Sequence, residues 1–446
     1  MKILLINPPR SPHNSILEHA PQEARRFIHK KLIGPPLGLI TVAGAVRDHD
    51  VAVCDMKGQY DLDPSSPSPD ALARAWMEKT QPEIVGLTII TSEFNAATEI
   101  AASIRRAYPQ TLIVAGGLHP TLLPQDFAAG PFDIVCTGPS AQRFRQIVEA
   151  RASHSSFDHI PDIFVNTAAG LKFTYRQDGI IDAASKDFVM PDRSHLAPWL
   201  STYFVGKGAG PTTYLFTSIG CPHACSFCSI WPQFESRYFQ RDVESVIEEL
   251  KTLDDYPVVR FADANTIVNT SFIRRLFDRI EQESIRKEYV MDLRTDTIAE
   301  NPGLMEKMAR QGLKVVISGF ESFRREELQN YNKTTAAHQI HEAIEILHAN
   351  GVQIRGNYVV PPHYDRGDFS ALAEYASSHR VAFAGYTILT PMPGTSFYET
   401  SKPQIKDHNY DKYNFFNCVL KTKLPLEEFY EEIGRLWMIK KGVDTI

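Results

Sequence analysis

The 446-residue sequence predicts an α/β protein with two parallel sheets, the first doubly wound and the second a partial (β/α)6 barrel, followed by a C-terminal helical cap. Three observations predict it. Short β-rich runs alternate with helical stretches over the first 150 residues, the alternation resumes at Tyr214 for six strand–helix units, and the chain then turns helical from Pro425. Composition agrees: 43% hydrophobic and 22% charged residues match soluble globular chains and exclude extended disorder.

In the first stretch the strands fall at Lys2–Ile6, Val51–Asp55, Ile84–Ile90, Thr111–Ala115 and Ile134–Thr137. Helices fall at Leu39–Asp48, Asp70–Lys79, Phe94–Ala107 and Ala141–Ala150, so residues 1–150 read as one Rossmann-like domain. Ligands of such sheets sit at the carboxyl ends of the strands. Those ends carry Asn7-Pro8-Pro9, Asp55-Met56-Lys57-Gly58, Thr91-Ser92, Gly116-Gly117 and Thr137-Gly138, a binding edge without an obvious nucleophile. Residues 151–210 lack sustained periodicity and read as a connecting segment with a short hairpin around Phe164–Tyr175.

The second domain spans 211–395. Its strands are Tyr214–Ser218, Val258–Ala262, Tyr289–Leu293, Lys314–Ser318, Gln353–Val359 and Phe383–Leu389. Helices such as Val243–Leu253, Thr270–Glu283, Pro302–Gln311, Ala336–Asn350 and Asp368–His379 separate them, and in a barrel the chemistry sits where strands end. Residues 396–446 form the cap, with the helical run Leu426–Lys440; its aromatics Tyr410, Tyr413, Phe415, Phe416, Phe429 and Tyr430 are expected to pack it down rather than line a pocket.

A formal net charge of −6 argues against a broad nucleic-acid-binding face. The start MKILLINPP is too short in apolar residues for a signal peptide, and no stretch approaches a membrane span. Six cysteines are too few for a disulfide scaffold, so the expected location is cytoplasmic.

Three of those cysteines, Cys221, Cys225 and Cys228, crowd into the loop Gly220-Cys-Pro-His-Ala-Cys-Ser-Phe-Cys228 after the first barrel strand. Three thiolates can hold three irons of a [4Fe–4S] cluster and leave the fourth open to an outside ligand. The competing reading is zinc held by the same thiols and His223, yet paired zinc ligands usually come from two separated stretches. Cys54, Cys136 and Cys418 are isolated and read as buried small hydrophobes.

This CxxxCxxC loop, with Phe227 in the aromatic place, resembles the signature of the radical S-adenosylmethionine (SAM) superfamily. The resemblance implies a partial TIM barrel in which the open iron chelates SAM and an electron cleaves it to a 5′-deoxyadenosyl radical. Further elements follow in order at strand ends: Phe261-Ala-Asp263-Ala-Asn265, Leu293-Arg294-Thr-Asp296, Ser318-Gly-Phe-Glu321-Ser322 and Leu389-Thr-Pro391-Met-Pro-Gly-Thr395. By this likeness Phe227, Asp263, Glu321, Asn357 and Pro391 help bind SAM, while Arg294, Asp296 and Tyr358 are candidate catalytic residues facing substrate. Lys333, in Asn330-Tyr-Asn-Lys333, could steady a carboxylate, but reads rather as an ordinary surface lysine.

A doubly wound domain ahead of such a barrel resembles the cobalamin-dependent branch of the superfamily. Gly116-Gly117-Leu-His119-Pro-Thr121 is similar to that branch's GGxHxT element. The resemblance implies that Asn7, Pro8, Thr91, Ser92, Gly116, Gly117, His119, Thr121, Thr137 and Gly138 contact cobalamin, His119 at its nucleotide tail. A DxHxxG motif is absent, since Asp55-Met-Lys-Gly58 has no histidine, so no histidine is expected on cobalt and the Arg25–Gly34 region is expected to cover its lower face. A nucleotide is the alternative ligand, weakened because no G-x-G-x-x-G follows the first strand; a degenerate empty domain is the third reading.

Cys228-Ser-Ile-Trp231 and Glu327–Lys333 resemble the hopanoid methylases and their neighbours. The implied activity is methyl transfer to an unactivated carbon of a small-molecule or lipid-like substrate, consuming two SAM molecules: one methylates cobalamin, the other yields the radical. A cyclase or oxidative reaction with the same cofactors is the alternative, and a non-catalytic cobalamin sensor or iron–sulfur carrier the third. The family implies a low-potential electron donor such as flavodoxin.

Overall fold

A computed structural model describes residues 1–28, 34–176, 188–204, 210–333, 337–379, 381 and 383–439. They form two compact units. One comprises Met1–Pro12, Gly34–Tyr203 and Pro232–Glu235; the other comprises His13–Ile33, Phe204–Trp231 and Ser236–Ile446. Residues 13–28 thus pack with the barrel unit rather than the domain in which the sequence embeds them. Asn14 caps the short helix Ser15–His19, and Ser15 bonds the side chain of Asn417.

The first unit is built on β1 (Lys2–Asn7), β2 (Asp50–Asp55), β3 (Ile84–Thr88), β4 (Leu112–Gly116) and β5 (Ile134–Cys136), parallel in the order β2-β1-β3-β4-β5. The two-residue period of a strand explains why helices cover both faces. Leu4 and Ile6 enter one apolar cluster and Ile3 and Leu5 the other, each fully buried. Each contributes about 1.5–3 kcal/mol by leaving water. The helix Phe94–Ala107 buries Ala97, Ile100, Ala101 and Ile104, the i, i+3, i+4, i+7 stripe expected of an amphipathic helix.

The expected hairpin exists and does more than connect. β6 (Ile163–Thr167) and β7 (Gly170–Phe173) join β5 antiparallel and extend the sheet to seven strands. Residues 193–202 add a tight helical run that buries Leu196 and Trp199.

The second unit holds a six-stranded, wholly parallel open sheet. Its strands are β8 (Thr212–Leu215), β11 (Val258–Phe261), β12 (Glu288–Asp292), β13 (Leu313–Glu321), β14 (Gln353–Val360) and β15 (Phe383–Ile388), paired in chain order. The strand expected at Tyr214–Ser218 divides in two. After Leu215 the chain turns, and β9 (Ser218–Gly220) pairs instead with β10 (Tyr238–Gln240) in a separate antiparallel ribbon leading into the cysteine loop. β13 runs three residues beyond the expected Ser318, with a register shift between Gly319 and Glu321. Alternation sets the two faces of this sheet: Phe261, Tyr289, Phe320, Tyr358 and Tyr386 form ring contacts on the helix-covered side, while Arg260, Asp292, Gly319 and Asn357 fall on the inner side. The cap helix Leu426–Leu436 buries Phe429, Tyr430 and Ile433, as expected of packing aromatics. Lys440 and the start of the helix expected from Ala336 lie outside the described residues.

Candidate active site

The cysteine loop is clasped from several sides. At its start, Asp263 accepts from Thr217 N (2.9 Å), Thr217 Oγ1 (3.0 Å), Ser218 N (2.5 Å) and Ser218 Oγ (2.8 Å). Along its length, Asn332 Nδ2 donates to Ala224 O (2.9 Å), Ser226 N to Tyr331 O (3.0 Å) and Ser226 Oγ to Asn330 O (3.0 Å). Trp231 Nε1 donates to Cys225 O at 2.9 Å, and Phe397 N to Ser226 O at 2.9 Å. Phe227 lies edge-on to Tyr331 and packs on an apolar cluster with Val359 and Leu389. Asn332 takes a left-handed backbone (φ 55°), the conformation that asparagine tolerates best after glycine.

Cys221, Cys225 and Cys228 are half-buried free thiols, and burial pushes the Cys228 thiol up to about 11. The charges of Arg294 and Lys333 oppose that effect at Cys225. Among the described residues, no three His, Cys, Asp or Glu side chains converge on a point that would hold a single metal ion. Three half-buried thiols in one loop are the donor set of a polynuclear cluster, each able to hold one iron corner.

Beside the loop, Glu321 ends β13 with φ 60° and its Oε1 lies 2.7 Å from Lys333 Nζ, which also donates to Gly319 O at 2.7 Å. Lys333 is therefore no surface lysine, with only 8% of its side chain exposed. A non-glycine residue held at positive φ costs of order 1 kcal/mol and marks a site fixed by its surroundings. Arg294 and Asp296 form a second ion pair, Nε to Oδ1 at 3.0 Å, whose charges act on His223. Asn357 stands between Gly319 and Gly385 on the neighbouring strands.

Other expected residues are placed differently. Asp263 is buried with both oxygens engaged by Thr217 and Ser218, so its carboxylate anchors the start of the loop. Tyr358 sits on the helix-covered face, stacked on Tyr386 at 5.5 Å, because it shares the parity of Ile354 and Val360 rather than that of Asn357. Pro391 is buried in the turn before Thr395, which caps the helix Ser396–Ser401.

In the first unit, the strand ends divide into buried supports and accessible backbone. Asn7 donates to Asp55 at 2.7 Å, and Asp55 also accepts from Tyr203 and from Lys57 N. Buried Glu93 pairs with Lys57 at 2.6 Å. His119 is wholly buried, its Nδ1 3.3 Å from Thr91 Oγ1 and its Nε2 3.3 Å from Asp126 Oδ2, with Phe94 at 4.6 Å. Its side chain, like those of Asn7, Thr91 and Ser92, offers no open surface, so these residues shape the edge from behind. Pro8, Gly116, Gly117, Thr121, Thr137 and Gly138 remain partly accessible, next to Ile90, which is 40% exposed. Gly117 has φ 111°, and a Cβ there would lie 2.8 Å from Ile89 O, which is why two strand ends can approach so closely only with glycine. Thr121 Oγ1 ties the edge together by accepting from Gly138 N at 2.9 Å. Bare backbone beside an exposed isoleucine fits a broad, partly apolar cofactor. In the region expected to cover cobalt, residues 29–33 lie outside the described residues, and Arg25 bonds Ala20 O and Glu18 O in the barrel unit.

The sequence reading missed Asn332 and Trp231 as supports of the site and preferred a surface role for Lys333. Only the Asn330–Lys333 string beside Glu321 hinted at them.

Residues 215–376 match the radical SAM superfamily model and residues 27–148 the B12 binding domain model. The hopanoid C-3 methylase of Methylococcus capsulatus is 24% identical over 404 residues, covering 89% of this chain and 75% of the relative. The anaerobic magnesium-protoporphyrin IX monomethyl ester cyclase of Cereibacter sphaeroides is 25% identical over 372 residues, 78% of this chain and 58% of the relative. In fold, the chain is similar to the radical SAM methyltransferase TsrM of Kitasatospora setae, solved with cobalamin and a [4Fe–4S] cluster. The TM-score is 0.73 at 15% identity, with 98% of this chain and 91% of that one covered.

Proposed function

This chain belongs to the cobalamin-dependent radical SAM proteins, and from that premise we propose that it is a methyltransferase placing a methyl group from SAM on an unactivated carbon of a small-molecule or lipid-like substrate. The observation that carries the reading is a single chain with both a clasped three-thiol loop beside the Glu321–Lys333 pair and a glycine-lined sheet edge.

When bound, the cluster with SAM supplies a hydrogen-abstracting radical and cobalamin supplies the methyl group. Cys221, Cys225 and Cys228 would hold three irons. Their thiols must lose protons to do so, and since burial raises all three, iron loading is favoured at higher pH. Lys333 and Glu321 present one cation and one anion to the amino-acid end of SAM, held in place by the Gly319 carbonyl. Phe227, packed with Leu389 and Val359, screens one side of the loop from water. Arg294 and Asp296 stand close enough to His223 and the thiols to orient a polar group of SAM or substrate.

At the other edge, Pro8, Gly116, Gly117, Thr121, Thr137 and Gly138 would seat cobalamin. His119 is held by its contacts to Thr91 and Asp126, so it would support this edge from behind the cobalamin. No helix among the described residues is long and apolar enough to cross a membrane. A cytoplasmic setting with a low-potential donor such as flavodoxin suits oxygen-sensitive chemistry.

The test is anaerobic. Protein with reconstituted cluster and added cobalamin is reduced with SAM, and 5′-deoxyadenosine, S-adenosylhomocysteine and methylated product are followed by mass spectrometry. Both SAM products together with a methylated acceptor support the reading. Deoxyadenosine without S-adenosylhomocysteine moves the chain to the cyclase class, and neither product moves it to the binding proteins.

A further inference from the structure

In the run Glu327–Lys333 the last two residues reach the cysteine loop and Glu321, while the first, Glu327, makes its side-chain contacts elsewhere. Glu327 is 7% exposed. Its Oε2 accepts from Ser322 Oγ at 2.5 Å and from Tyr364 Oη at 2.9 Å, and its Oε1 faces Arg324 Nη1 at 3.4 Å and His363 Nε2 at 3.7 Å. Four groups thus meet one carboxylate, two from just beyond the end of β13 and two from the turn after β14. That turn is itself fixed. Tyr364 is fully buried and edge-on to Phe369 at 5.7 Å, and Phe369 is edge-on to Phe429 of the cap helix at 5.7 Å.

Between Ser322 and Lys333 runs the helix Arg325–Asn330. Six residues are too few for a helix to hold itself together in water, so tertiary anchors decide its place. The buried residues of the helix are Leu328 and Glu327. At its start, Ser322 Oγ accepts from Arg324 N at 2.9 Å. At its end, Tyr331 N donates to Glu327 O at 2.9 Å and Lys333 N to Leu328 O at 2.8 Å, so the last turn of the helix places Lys333. The helix is a strut that leaves β13 beside Glu321 and returns the Lys333 ammonium to within 2.7 Å of the Glu321 carboxylate.

Glu321 is held at φ 60°, and the pairing of β13 with β14 shifts register between Gly319 and Glu321. A side chain persists in such a conformation only where its surroundings over-determine it. Lys333 does so from one side, and from the other Glu327 pins Ser322, the next residue in the chain. A carboxylate taken out of water is a poor source of stability, because an apolar side chain of similar size does as well or better. What it supplies here is direction, since one oxygen sets both hydroxyls.

We infer that Glu327 is a positioning residue for SAM: by tying Ser322 to Tyr364 it keeps Glu321 in its left-handed conformation against Lys333, so that SAM meets a preformed pair of charges. The inference rests on the reading that Glu321 and Lys333 receive the amino-acid end of SAM. Without the tie, Glu321 relaxes away from Lys333, and apparent affinity falls in proportion to the molecules that keep the competent shape. The cysteine loop retains its separate clasps from Asp263, Trp231 and Phe397, so iron loading persists.

The test uses the full chain with its cluster reconstituted, titrated calorimetrically with S-adenosylhomocysteine. Glu327→Leu should bind it about tenfold more weakly, the loss expected when about a tenth of the molecules keep the competent shape. Glu327→Gln, which retains one acceptor oxygen, should recover part of that loss. Iron per chain should equal that of the wild type in both variants. Amide hydrogen exchange should quicken at residues 319–324 and stay unchanged at residues 220–228. A purely structural role would lower the urea midpoint and leave the affinity of the folded protein intact. Unchanged affinity, unchanged exchange at residues 319–324, or iron loss in step with the affinity loss would each overturn the inference. If Glu327→Leu does not fold, Glu327→Gln decides by the same three readings. A wild type that binds no S-adenosylhomocysteine refutes the SAM reading and the inference with it, whereas a wild type that binds and variants that match it refute the inference alone.

Discussion

Replacing Asp263 by alanine should damage the cysteine loop without touching a cysteine. The carboxylate is fully buried and accepts from two backbone N–H groups and two hydroxyls of Thr217 and Ser218. The hydroxyls can rotate toward other acceptors, but the two N–H groups cannot. At about 1–3 kcal/mol for each stranded donor, Asp263→Ala loses about 2–6 kcal/mol, against a total stability of about 5–15 kcal/mol for a typical domain. Asp263→Asn keeps one oxygen toward the N–H groups and a donor toward Thr217 Oγ1, so about 1 kcal/mol is expected. Urea denaturation of the metal-free protein, followed by circular dichroism, measures the first effect. Iron bound per folded chain after reconstitution measures the second, since Ser218 opens the ribbon that leads into Cys221. An alanine variant within about 1 kcal/mol of the wild type, or one that folds and loads iron normally, would refute the reasoning.

Burial pushes the Asp263 carboxyl up to about 7, so between about pH 4 and pH 7 the native state holds a proton that the unfolded chain has lost. Its contribution to stability therefore falls as pH rises across that window and is level above it; the difference in urea midpoint between wild type and Asp263→Asn should follow that course. Tyr358→Phe should leave SAM cleavage unchanged and stability equal or higher by up to about 1 kcal/mol, because its buried hydroxyl has no partner among the described residues; a fall in 5′-deoxyadenosine yield would return Tyr358 to the reacting groups. Lys333→Met leaves the Glu321 carboxylate, 12% exposed, without its cation and should cost about 2–4 kcal/mol. Adding Glu321→Gln should recover most of that loss in a double-mutant cycle, while S-adenosylhomocysteine affinity by calorimetry stays low in both. Cys225→Ser should take iron content and the brown absorbance to background after reconstitution, with the far-ultraviolet circular dichroism unchanged.

Sequence alone determined the features that depend on local pattern. Apolar runs such as Ile3–Ile6, buried on both faces, and the stripe Ala97, Ile100, Ala101, Ile104 fix strand and helix wherever their neighbours lie. The spacing of Cys221, Cys225 and Cys228 limits the metal chemistry by itself, because thiols three and four residues apart share one loop in any fold. Side-chain direction was legible only where strand phase could be read. Tyr358 and Asn357 are adjacent in sequence, and only the pairing of β14 with its neighbours decided which of them faces the interior. Lys333 looked like any surface lysine until the end of β13 brought Glu321 beside it. Tertiary structure alone also turned His119 and Asp263 into supports and brought Arg260 of β11 against Asp292 of β12. Burial and register are sums over distant segments, and no local window of the sequence contains them.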